Sequence, residues 1–202
     1  MNFAGRIERD PFFSRLKGIL SQREPQRIPW RDFTHAAVLI PMWREGGRII
    51  ILFTRRSQNV RHHKGEVSFP GGVMEPQDQD LSQTALREAH EEVGIAVREV
   101  VLLGRLDEAF SLSRFSITPF VGALQERPSL LTNQEVAEPL PLPLERLLGP
   151  DRIQQDSTEL EGTHVPVLTY QVGEVVIWGA TARILANLLD IIRGDPLLAE
   201  TL

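Results

Sequence analysis

Residues 69–95 read FPGGVMEPQDQDLSQTALREAHEEVGI, and the second half of this stretch predicts a helix more strongly than any other segment of the chain. Leu81, Ala85, Leu86, Ala89 and Val93 recur at helical spacing over 80–93, and Gly94 directly after them is a stop signal. Glu88, Glu91 and Glu92 stand at i, i+3 and i+4 of that helix, so at about 100° per residue they point within an arc of about 100°. Ala85, Leu86 and Ala89 face elsewhere, toward a core. Like charges at these spacings weaken an isolated helix by a few tenths of a kcal/mol per pair. Hard cations such as Mg²⁺, which take oxygen ligands and keep waters for phosphate, relieve that repulsion. Taken alone, the same residues also suit a solvated acidic face balanced by Arg87. The glycines before and after the helix, Gly71-Gly72 and Gly94, favour the metal-binding reading.

Working outward, the apolar run of residues 36–41, then Glu45-Gly46-Gly47, then RIIILFT predict a β-hairpin whose turn uses glycine for positive φ. Residues 55–72, rich in Arg, His and Gly, read as loop. Beyond the helix, VVLLGRL, SITPFVGAL, PVLTYQV and EVVIWG read as strands, with a Pro/Leu-rich stretch ending in LERLL among them and a last helix over about 180–192. Near the start, Phe3, Ile7, Phe12, Leu16 and Ile19 or Leu20 keep helical intervals, Pro11 separates a short turn from a helix, and Pro25 and Pro29 mark a connector. The pattern predicts a helical extension and connector over 1–32 and one α/β layered domain over 33–202.

Bulk properties restrict the chemistry. With 202 residues, 42% hydrophobic and 24% charged, the chain is sized for one buried core. A net charge of -5 gives no electrostatic reason to expect nucleic acid as partner. There is no cysteine, so a metal site must use oxygen or His ligands, and a reducing cytoplasm is compatible. No apolar run approaches the ~18 residues of a membrane span, and the expectation is a cytoplasmic protein without a membrane partner. Against the acidic background Arg55, Arg56, Arg61 and Lys64 gather in a segment without an acidic residue. Arg in such a patch suits phosphate recognition, although a solvated basic loop explains charge alone equally well. His62, His63, His90 and His164 lack metal-ligand spacing and read as surface residues, and Ser57 and Ser68 lack the context of a nucleophile.

The order Gly71-Gly72, an acidic loop with Glu75, Asp78 and Asp80, then Arg87-Glu88-Ala89-His90-Glu91-Glu92-Val93-Gly94-Ile95 resembles the Nudix box, G-x5-E-x7-R-E-U-x-E-E-x-G-U with U aliphatic. Its second half is matched throughout except that Ala89 is small for U. The first half is one residue longer than the box, and its first Glu falls on Asp78 or Gln79. The resemblance implies a Nudix α/β/α sandwich with a mixed β-sheet and a metal-binding loop-helix-loop. It also implies Mg²⁺ or Mn²⁺ held by Glu88, Glu91 and Glu92, with Arg87 orienting the carboxylates, and hydrolysis of a diphosphate linkage. Glu135 resembles the loop carboxylate that many members supply as a further ligand or general base, with Glu108 the runner-up.

A second resemblance is narrower. Thr54, Arg55, Ser57, Arg61, Gly65 and Phe69-Pro70-Gly71-Gly72 are similar to the extra motif of the CoA pyrophosphatase branch, L-L-T-x-R-S-x3-R-x3-G-x3-F-P-G-G, and the longer box with Asp is common in that branch. This implies coenzyme A or a CoA ester as the small-molecule substrate, bound by Arg55, Arg56, Arg61, Lys64, Gly71 and Gly72. IWGATARIL resembles the branch's C-terminal signature, with Trp178 expected in the core and Thr181 near the helix start. ADP-ribose, a dinucleotide or a nucleoside triphosphate as substrate, and a silent nucleotide-binding domain, are the rival expectations. A homodimer is left open.

Overall fold

The structure is a computed structural model and describes residues 5, 7–29, 32–59, 64–149, 152–160 and 163–202, the stretches 152–160 and 163–167 by backbone alone. Arg61, His62 and His63 therefore lie outside the described residues, as does the side chain of His164.

The hairpin forms as its sequence predicts. β1 (Thr34–Glu45) and β2 (Arg48–Arg56) pair antiparallel from Met42↔Ile51 to Glu45↔Arg48. Gly46 and Gly47 close it with φ of 57° and 84°, the two positive values a two-residue primed turn requires. Both strands are apolar on both faces because both faces are covered. Ile49, Ile51 and Phe53 enter the large core, while Ile50 and Leu52 enter a second cluster with Trp43 and Val136. β7 (Phe115–Ala123) runs parallel along the other side of β1 over Thr34–Met42, so the sheet is mixed. β5 (Val101–Arg105) and β6 (Ala109–Phe110) pair antiparallel with β7.

The segment expected as loop over 55–72 is extended and paired toward its two ends. Arg55 and Arg56 are the last residues of β2, β3 (Val67–Ser68) returns beside them, and β4 (Gly71–Val73) pairs with Ala36–Val38 of β1. The correction has a local cause in β8 (Val136–Pro143), which holds β2 extended through Arg56. Prolines at 139, 141 and 143 alternate along β8. Their missing N–H groups fall on one edge, leaving Leu140 and Leu142 to donate toward β2.

Helices cover the two faces of the sheet. α1 (Pro11–Gln22) buries Phe12, Phe13, Leu16 and Leu20 in the same cluster as Ile40 and Met42. Pro11 at its first turn marks the break read from the sequence, and Asp10 caps it by accepting from the N–H groups of Phe12 and Phe13. α2 (Leu81–Val93) packs Ala85 and Ala89 against Ala37 and Leu39 on the opposite face. After a short α3 (Leu144–Leu147), β9 (Arg152–Leu160), β10 (Thr163–Val172) and β11 (Val175–Trp178) form a separate three-stranded sheet. α4 (Gly179–Arg193) packs beside α1's core, and α5 (Pro196–Ala199) ends the fold. Thr181 lies at the start of α4, but Trp178, expected in the core, is 43% exposed because it closes an edge strand before the helix turns inward. No helix among the described residues is long and apolar enough to cross a membrane.

Asp10 joins the extension to the sheet, since its carboxylate also takes Arg44 of β1 at 2.7 Å and 3.2 Å. Asp10→Ala removes the cap and the ion pair together and should lower stability by about 1–2 kcal/mol, while Asp10→Asn, which keeps the cap, should lose less. Urea unfolding of the two variants checks the ranking.

Candidate active site

α2 begins at Asp80, whose carboxylate accepts from the N–H groups of Ser82 and Gln83. It ends at Gly94 in the left-handed conformation, φ 76°. Because Ala85 and Ala89 are small, the helix lies close to β1, and its carboxylate side meets the glycine strand β4. Gly72 leaves room for Glu88, since a Cβ there would overlap the Glu88 carboxylate. A Cβ on Gly71 would meet the backbone of Ala37 and Val38. The Gly71 N–H donates to Glu92 Oε2 at 3.3 Å.

The three box glutamates differ in environment. Glu92 is 4% exposed, the Glu88 side chain is mostly covered, and Glu91 is exposed. Arg87 sits between the loop and the helix. Its Nε and Nη2 donate to the two oxygens of Asp78 at 3.0 Å, its Nη2 to the Val73 carbonyl at 3.1 Å, and its Nη1 to Glu88 at 2.9 Å and Glu91 at 3.1 Å. Asp78 is buried and also accepts from the Glu75 N–H and the Thr84 hydroxyl. The Arg87 bond, then these other donors, hold its carboxyl well below the usual range. Asp78 rather than Gln79 is thus the residue that meets the arginine. The box spacing allows either position, and the bonds to Arg87 select Asp78.

From the sheet side, Arg56 directs Nη1 to Glu92 at 3.8 Å and Nη2 to Glu135 at 3.4 Å. Glu135 is brought there by its backbone: its carbonyl accepts the Ser57 N–H at 2.7 Å, and the Asn133 N–H bonds the Glu92 carbonyl. Arg55 turns away to Glu138 at 2.6 Å. Laid residue by residue on Leu52–Ser57, the arginine of the L-L-T-x-R-S motif is Arg56, with Arg55 at x, and Arg56 is the one that reaches the box glutamates. Lys64 is exposed and pairs with no described acid. Glu108 is elsewhere, accepting from the Ile28 N–H and the Ser116 hydroxyl, so it tethers the connector and is removed from the site.

Five carboxylates (Asp78, Glu88, Glu91, Glu92, Glu135) therefore surround two guanidinium groups. As placed, the acids are occupied by Arg87 and Arg56, and no three acidic or imidazole groups among the described residues stand in a metal-ligand arrangement. Glu88 and Glu92 face the glycine strand, whereas Glu91 is exposed and shares Arg87 Nη1 with Glu88. The donor set nonetheless fits a hard divalent ion, being all oxygen and in excess of its counter-charges. Burial pushes the Glu92 carboxyl up to about 8, against the opposing pull of Arg56, and burial also raises Glu88.

A family model described as NUDIX domain matches residues 33–159. A Yersinia enterocolitica protein described as uncharacterized Nudix hydrolase NudL is 40% identical over 178 residues, 88% of this chain and 89% of its own length. One of the same description from Photorhabdus laumondii is 39% identical over 155 residues, 76% of this chain and 82% of its own. A solved MutT/nudix family protein from Enterococcus faecalis shares the fold, with a TM-score of 0.51 over 96% of this chain and 78% of that one at 13% identity. The chain belongs to the Nudix hydrolase family. Its members generally use divalent cations.

In metal-free protein the folded state keeps on Glu92 a proton that the unfolded chain has released. Stability should therefore fall as pH rises from about 5 to about 8, with a slope approaching 1.4 kcal/mol per unit for that one group. Thermal melts in EDTA across this range should show the slope in the wild type and lose most of it in Glu92→Gln; an unchanged slope would assign the proton elsewhere.

Proposed function

We propose that the chain hydrolyses the diphosphate of coenzyme A or a CoA ester, giving adenosine 3′,5′-bisphosphate and the corresponding 4′-phosphopantetheine. One observation carries this reading: the two halves of the branch motif are joined next to Arg56, the residue that reaches Glu92 and Glu135. Thr54 of β2 meets Ser68 of β3, with Oγ1 3.3 Å from its carbonyl and hydroxyl oxygens, and Phe53 stacks on Phe69 at 4.5 Å. The chain between them, which contains Arg61 and Lys64, leaves and returns beside Arg56. Basic side chains on that connection suit a phosphate lying beyond the diphosphate, and the 3′-phosphate of CoA is such a group.

In this reading Glu88, Glu91 and Glu92 hold Mg²⁺ or Mn²⁺, which neutralises charge on the diphosphate and acidifies water. The Gly71 N–H fixes the buried Glu92 carboxylate, and Gly72 gives Glu88 the space to approach. Arg87 positions Glu88 and Glu91 from its anchor on Asp78. Glu135, exposed on its loop, accepts the proton of the attacking water. Arg56 faces the diphosphate, while Arg55, paired with Glu138, supports the outer edge.

Glu92→Gln should retain less than about a tenth of wild-type turnover at saturating Mg²⁺ while remaining folded, since it deletes a ligand charge and keeps the shape. For the substrate, dephospho-CoA differs from CoA only by the 3′-phosphate. One lost charge-assisted hydrogen bond is worth ~1.5–3 kcal/mol, so kcat/KM should be about 10- to 150-fold lower for dephospho-CoA. In Arg61→Ala or Lys64→Ala the ratio between the two substrates should fall toward one. Equal hydrolysis of both compounds by the wild type would sink the CoA assignment and favour ADP-ribose or a dinucleotide.

A further inference from the structure

Arg56 and Arg87 both contact the acidic cluster, but they are held in opposite ways. Arg87 uses each of its nitrogens in bonds of 2.9–3.1 Å. Arg56 lies 3.4 Å from Glu135 and 3.8 Å from Glu92, and its Nε is buried without a hydrogen-bond partner among the described residues. Its backbone is fixed, since its N–H donates to the Glu66 carbonyl and its carbonyl accepts the Gly65 N–H. A register shift in the β2–β8 pairing falls between Arg55 and Arg56. Arg55 pairs outward with Glu138, while Arg56 reaches inward. A guanidinium that is three-quarters covered yet leaves a donor unused is poorly built as a permanent clamp.

We propose that Arg56 is a placeholder cation. It holds Glu92 and Glu135 together in the metal-free site, yields them when a divalent ion binds, and turns its guanidinium to the diphosphate. The inference rests on the assignment of Glu92 to the metal site and of Glu135 to the base beside it. Its physical basis is competition. A divalent ion on Glu92 repels a guanidinium 3.8 Å from that carboxyl and takes over the oxygen that it faced. The freed fork, still anchored on β2, then has a diphosphate as its nearest available anion. Metal entry and substrate capture become linked through one side chain, because Arg56 cannot serve the glutamates and the substrate at once.

The test is Mn²⁺ binding to EDTA-stripped protein without substrate, near pH 8 under argon, with free ion followed by its EPR signal. Arg56→Gln should bind Mn²⁺ about three- to tenfold more tightly than the wild type, because the competitor is gone, while kcat/KM for CoA falls by about tenfold or more. Mn²⁺ binding unchanged or weakened in Arg56→Gln would overturn the proposal, as a purely structural arginine predicts. A measurement on the wild type covers failure of the variant to fold. In protein labelled with ¹⁵N-arginine, saturating Mg²⁺ should shift the Arg56 Nε–H resonance and leave that of Arg23, which is paired with Asp107, in place. An unmoved Arg56 resonance refutes the exchange. Glu92→Gln separates the two levels: wild-type Mn²⁺ affinity in that variant would remove the metal-site assignment itself, whatever Arg56 does.

Discussion

The contact between α2 and β4 sets the rest of the site, because it places an ionisable carboxyl at Glu92 where 4% of the residue meets solvent. The cause lies in small residues on both sides of the contact. Ala85 and Ala89 let the helix approach Ala37 and Leu39, and Gly71 and Gly72 let the returning strand fit under it. A methyl group on Gly71 would strike main chain, which cannot rotate away, whereas one on Gly72 would strike a carboxylate, which can. Gly71 therefore answers to the fold and Gly72 to the position of Glu88. Once the helix is seated, desolvation of Glu92 has to be offset, and the Gly71 N–H and the Arg56 guanidinium are the groups that do it.

Much of this was legible because it is local. The 81–93 periodicity, the Gly94 stop and the Gly46-Gly47 turn are decided by residues within a few positions of one another, and all appear as read. Arg55 and Arg56 read as loop because their extended form depends on Val136–Pro143, about eighty positions away, whose prolines look like loop chemistry until they are placed on an edge. Trp178 was misread for a related reason. An aromatic residue between a strand and an amphipathic helix looks like core, but its side chain belongs to an edge strand of a second sheet that periodicity does not distinguish from the first. Glu108 read as a candidate for the cleft, yet its carboxylate is taken by Ile28 and Ser116, partners that only the folded connector supplies.

Arg87 illustrates how spacing can reveal a residue without its task. The helix places it beside Glu88 and Glu91, which was readable, but its principal partner is Asp78 in the preceding loop. Asp78 in turn binds Thr84 and the Glu75 N–H, so the loop of 74–80 is tied to the first turns of the helix that it leads into. The extra residue in the loop is accommodated within this tied segment and does not disturb Gly71-Gly72 or the helix.

The two ends of the connection between β2 and β3 are joined by backbone hydrogen bonds. The Arg56 N–H bonds the Glu66 carbonyl, the Gly65 N–H bonds the Arg56 carbonyl, and Ser57 is bonded to Glu135. The connection therefore leaves and rejoins the sheet at Arg56, the residue that reaches Glu92 and Glu135. The helix, which carries the carboxylates, is seated by a different set of contacts on β1 and β4. The carboxylate helix and the base of the connection are thus positioned by separate contacts, so a residue of the connection can be changed without unseating the helix.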